Sequence, residues 1–138
     1  MHAFSRRSAV CSLVFLAAGA LASTALRAIA AEYVPLAIKG YDPVAYFTLG
    51  RPARGLPEIA YAWDEHRYQF SRVEHRELIK GDPVRYAPQF ANYCAMALSQ
   101  GEVVEADPEN WLVSDGKLYI CGKPSGPAVF KENVARNI

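Results

Sequence analysis

The stretch EIAYAWDEHRYQFSRVEHRELIKGDPVRY (58–86) sets the architecture. EIAYAW (58–63) and RYQFS (67–71) alternate apolar with polar residues on either side of Asp64-Glu65-His66. That alternation predicts a β-hairpin, with Ile59, Tyr61 and Trp63 on one face and Tyr68 and Phe70 together on one face of the return strand. Ser71 and Glu74 have the S-x-x-E spacing of a capping box, so a helix is predicted over 72–80, stopping at Gly81. Asp82-Pro83 then opens a further turn through Tyr86. Strand, strand and helix in direct succession point to an α+β domain.

Working outward, the same punctuation recurs. In GYDPVAYFTLG (40–50), Asp42 suits an N-cap and Pro43 the first helical position of a short segment through Phe47. Pro88 is predicted to open a helix over 89–100 that ends at Gly101. Asp107-Pro108 marks another turn. WLV (111–113) and KLYI (117–120) around Ser114-Asp115-Gly116 predict a second hairpin, because Asp-Gly suits a tight reversed turn. AVFKENVARN (128–137) is predicted to be a terminal helix. The expected fold is a small α+β domain with two β-hairpins and two to three short helices.

The chain has 138 residues, 15 basic and 14 acidic, and three cysteines. Residues 1–31 have the pattern of a signal peptide: SRRSAV (5–10), an uncharged apolar run of about 16 residues, then A-x-A spacing at Ala28 and Ala30. A bilayer needs roughly 20 apolar residues, so no stable membrane anchor is expected after cleavage near Ala30 or Ala31. Ser5-Arg6-Arg7 resembles a twin-arginine signal, although Ser8, Ala9 and Val10 follow it weakly, and both export routes stay open. The expected location is periplasmic or secreted. Cleavage would remove Arg6, Arg7 and Arg27 and no acid, leaving 12 basic residues against 14 acidic ones. No basic stripe remains to bind nucleic acid.

DPVAYF (42–47) and WDEHRYQFSRVEHRELIKGDPVRYAPQF (63–90) resemble the YHS domain. The family's core reads as an aromatic, a Tyr-x-Phe strand, a capped helix and Asp-Pro-x-x-Tyr, matched here by Trp63, Tyr68, Phe70, Asp82, Pro83 and Tyr86. The mature chain (32–138, core 39–121) is still more similar to exported bacterial stand-alone members, with GYDPVAYF at 40–47, Tyr-Cys-Ala at 93–95 and Asp-Gly-Lys-Leu-Tyr at 115–119. The resemblance implies an accessory binding module that takes a metal, another small ligand or an unknown protein partner. Metal-type members have cysteines where this sequence has Ala45, Ser71 and His75, so that site is dismantled. Alanine cannot ligate, and soft metals favour thiolate or imidazole over a serine hydroxyl.

The remaining chemistry rests on few residues. On a helix 89–100, Phe90, Tyr93, Cys94, Ala97 and Leu98 would share an apolar face, so Cys94 points inward as a small hydrophobe. Met96 would lie roughly 200° away at about 100° per residue, which keeps the two sulfurs off one ion. His75, with Leu78 and Ile79, also faces inward, and a core-edge histidine outweighs a ligand. Cys94 and His75 stay as a candidate pair for copper or zinc. Cys94 is also the candidate thiolate of a redox protein or enzyme. A Cys94–Cys121 disulfide is the third alternative, closing a loop of about 26 residues and contributing about 3 kcal/mol. Tyr41, Asp42 and Tyr46 are candidates to line a ligand pocket, against a purely structural role for the tyrosines. His66 is expected at a solvated hairpin tip. Glu65, Glu74, Glu102, Glu105 and Asp107 show no catalytic pairing, and no Gly-rich phosphate loop is present.

Overall fold

The computed structural model describes residues 33–137. The signal-peptide reading of residues 1–31 lies outside them. Val34–Ile138 forms one compact unit. In order it contains a left-handed turn at Ala37–Gly40, then α1 (Ala45–Thr48), β1 (Leu56–Trp63), β2 (His66–Phe70), α2 (Val73–Gly81), α3 (Pro83–Tyr86), α4 (Ala95–Ser99), β3 (Asp107–Ser114), β4 (Lys117–Cys121), α5 (Gly126–Glu132) and α6 (Val134–Asn137). This is the expected α+β class. There are six helices among the described residues, more than the two or three expected, because several last only a turn.

Both hairpins form, as separate antiparallel two-stranded sheets. Trp63 pairs with His66, so the first turn is the two-residue loop Asp64-Glu65 and His66 belongs to the strand, not the tip. Both loop residues have positive φ, 47° and 64°, as a reversed two-residue turn demands. Asp115 and Gly116 do the same in the second hairpin, at 50° and 71°. There the strand runs back to Asp107, past a register shift between Asp107 and Trp111, where the sequence reading placed a turn.

Tyr68 and Phe70 are buried as the alternation requires. They join Ile38, Val44, Tyr46, Ile79, Leu118 and Ile120 in the larger core. Each such side chain contributes about 1.5–3 kcal/mol through burial. A second core gathers Cys94, Ala95, Ala97, Tyr119, Cys121 and Phe130. Strand β4 serves both. Its residues point alternately to opposite faces, so Leu118 and Ile120 enter the larger core while Tyr119 and Cys121 enter the smaller one. The rings of Tyr119 and Phe130 pack at 4.9 Å.

Three local expectations are corrected. The helix predicted over 89–100 is confined to Ala95–Ser99. Ala91 has φ 50°, and the Asn92 side chain reaches back to the Leu36 carbonyl oxygen and the Ile38 N–H, which an unbroken helix would prevent. The capping box does not form: Arg72 occupies the N-cap position without a side-chain cap, and the Ser71 hydroxyl donates elsewhere. Leu78 is 41 % exposed, so only His75 and Ile79 of the predicted inward trio are buried.

Candidate functional site

Two clusters hold the reactive side chains, and the chain builds them differently. The first centres on Asp42, which is fully buried. Its Oδ1 accepts the backbone N–H groups of Val44 (2.9 Å) and Ala45 (3.3 Å) ahead of α1, whose N-cap position is Val44 and not the predicted Asp42. Its Oδ2 accepts the Ser71 N–H (2.8 Å), the Ser71 hydroxyl (2.7 Å) and His75 Nδ1 (2.6 Å). His75 Nε2 meets the Thr48 hydroxyl at 2.9 Å, and that hydroxyl also donates to the Val44 carbonyl oxygen.

Positions 45, 71 and 75 therefore do converge, but on a carboxylate. The unit is a hydrogen-bonded knot joining the start of the domain to the β2–α2 junction. Asp42–His75–Thr48 has the residue order of a nucleophilic triad. The hydroxyl is already committed to a carbonyl, however, and neither Thr48 nor His75 lines the clefts described below. Among the described residues, no buried side-chain nitrogen or oxygen lacks a partner. A fully satisfied network of this kind fixes local structure and leaves nothing aimed at a ligand.

Tyr41, Asp42 and Tyr46 sit together without forming a free polar lining. The Tyr46 hydroxyl donates to the Pro108 carbonyl oxygen at 2.9 Å, and burial holds its phenol well above the usual range. The Tyr41 hydroxyl donates to Glu109 at 2.9 Å, and that bond raises its pKa. Arg54 stacks over the Tyr41 ring at 4.5 Å.

The second cluster contains the thiols. Cys94 N-caps α4: its backbone is extended, its N–H bonds to the Val104 carbonyl oxygen (2.8 Å), and its Sγ accepts the Ala97 N–H (3.4 Å). The sequence placed it inward, and it is 6 % exposed. It reaches that burial as a cap and not as a mid-helix residue. Cys121 is fully buried at the end of β4. Both thiols are free, and they lie together in the smaller core. Burial pushes the Cys121 thiol up to about 11, with the Cys94 sulfur adding to the rise. A Cβ on Gly122 would lie 3.7 Å from that of Cys94, and one on Gly126 only 2.6 Å from that of Cys121. The pair is thus held tightly by glycine backbone.

Cys94 lines a cavity of about 250 Å³, walled by Met96, Ala97, Val104 and Val129, with Gln100, Glu102, Lys123 and Ser125 supplying polar groups. No pattern along the chain signals Lys123, Ser125 or Gly126, because they reach the cavity only through the turn after β4. Met96, set apart from Cys94 by the helix argument, lines the same cavity. A wider cleft of about 400 Å³ lies beside Trp63, Tyr68 and Phe90, and its wall contains no thiol, imidazole or cation.

His75 and Cys94 fall in different clusters, and both nitrogens of His75 are engaged within its own. Among the described residues, no group of three or more His, Cys, Asp or Glu could hold a metal ion. No helix of the described residues is long and apolar enough to cross a membrane. No family model, no curated protein and no solved structure matches this chain.

Proposed function

We propose that the protein is an exported YHS-type binding module whose site is the Cys94 cavity, and that its ligand is small, largely apolar and carries one anionic or acceptor group. The observation that carries the reading is the cavity itself: an apolar wall of Met96, Ala97, Val104 and Val129 beside a few polar groups, Lys123 among them. Ligand sites combine an apolar lining with a few placed polar groups, and they usually span about 300–1,000 Å³. At about 250 Å³ this one suits a small molecule better than a peptide. The motifs at 42–47 and 63–90 and the leader-like pattern at 5–31 support the family and export parts of the proposal. A metal form through Cys94 and His75 loses support, since the imidazole is spent on Asp42 and Thr48.

The test is a thermal-shift screen of small aromatic and aliphatic carboxylates against the reduced protein and against Val129→Trp, which fills the cavity from its exposed rim. Compounds that raise Tm in the wild type and not in Val129→Trp support the reading. Equal shifts in both proteins, or none in either, refute it.

A further inference from the structure

The two thiols differ in one respect that the binding reading does not use. Cys94 opens onto the cavity, whereas Cys121 lies behind it with no exposure. They share the smaller core, a Cβ on Gly122, the neighbour of Cys121, would lie 3.7 Å from Cys94 Cβ, and the Ala97 N–H is directed at the Cys94 sulfur at 3.4 Å. Such a donor stabilises developing thiolate charge on Cys94. We propose that Cys94 and Cys121 form an exchanging dithiol for small carboxylate-bearing disulfides, Cys94 receiving the incoming sulfur and Cys121 closing the bond behind it.

In the first step Cys94 gives its proton to water at the cavity mouth, and its sulfur attacks one sulfur of the small disulfide. The disulfide bond of the small molecule breaks, one small thiolate leaves and takes up a proton, and a mixed disulfide remains on Cys94. Cys121 then attacks the Cys94 sulfur, loses its proton to the second departing thiolate, and the internal disulfide forms. Two protein thiols are oxidised by two electrons, and one small disulfide is reduced to two thiols. Lys123 in the cavity wall offers a cation for the carboxylates. The raised pKa of Cys121 fits a sulfur that acts second, since it stays protonated when the small disulfide arrives.

This inference uses the same cavity as the binding reading and can fail separately: exchange without the Val129→Trp effect, or that effect without exchange, tells the two apart. The experiment treats the reduced full chain with oxidised glutathione and maps thiols by peptide mass, which resolves Cys11 from the other two. The wild type should show a transient glutathione adduct on Cys94, followed by a Cys94–Cys121 link. Cys121→Ala should keep the adduct on Cys94, and folded Cys94→Ala should leave Cys121 unmodified. Circular dichroism checks both variants, and if either is unfolded the order of events in the wild type decides alone. A first adduct on Cys121, stable adducts on both cysteines, or a Cys94 that reacts no faster than global unfolding would overturn the proposal.

Discussion

Asp42 shows how much one side chain can be asked to hold. Five donors converge on its carboxylate, from buried Val44, Ala45 and His75 and from half-buried Ser71. Asp42→Ala would leave the buried His75 imidazole and the half-buried Ser71 without their acceptor. Removing one partner of a buried pair costs about 3–5 kcal/mol, and urea denaturation should read that loss. At Cys121 the expected effect is one of pH. The thiol ionises near 9 when unperturbed and at about 11 in the fold. Below pH 9 both states keep the proton; between 9 and 11 the unfolded chain loses it first, so stability falls as pH rises. Urea midpoints across that window should decline in the wild type and decline less in Cys121→Ala. A single sequence signals neither behaviour fully: the Asp-Pro pair reveals a helix start, but nothing links position 42 to position 75.

Among the elements, the hairpins were the most legible because a period of two survives any tertiary context that buries one face. Their turns are less well optimised than their strands. Glu65 sits at φ 64°, where an L-residue is strained and glycine is not. Glu65→Gly should stabilise the protein by roughly 0.5–1 kcal/mol, the relief of left-handed strain less glycine's entropic cost, measurable as a higher Tm. Gly126→Ala should do the reverse. Its new Cβ would lie 2.6 Å from Cys121 Cβ and 3.1 Å from its Sγ. Overpacking of that kind costs about 1–3 kcal/mol, and the Cys121 thiol should become more readily alkylated in the native protein. The helix around Cys94 was misjudged for a physical reason. Its apolar spacing is helical, but the backbone of residues 91–94 is pulled into tertiary hydrogen bonds, with Ala106 N–H to the Asn92 carbonyl oxygen and Cys94 N–H to Val104. Cys94 was correctly placed inside, on the wrong local structure.

Across the whole molecule, strand β4 divides the labour. One face completes the larger core, where the Asp42 knot ties the domain together, and the other carries Cys121 into the smaller core beside Cys94. The candidate site was legible only in part, because its pieces come from α4, the segment 102–104 and the turn 122–126, which pattern along the chain does not bring together. The central claim is that ligand chemistry belongs to the thiol cavity and the Asp42–His75 cluster is structural. The most direct measurement is a methyl-resolved NMR titration of the reduced protein with the carboxylate that gives the largest thermal shift. Shifts concentrated at Met96, Ala97 and Val129, with Val44, Ala45 and Thr48 unmoved, are the predicted result. Saturable shifts centred on Val44, Ala45 and Thr48 would contradict it.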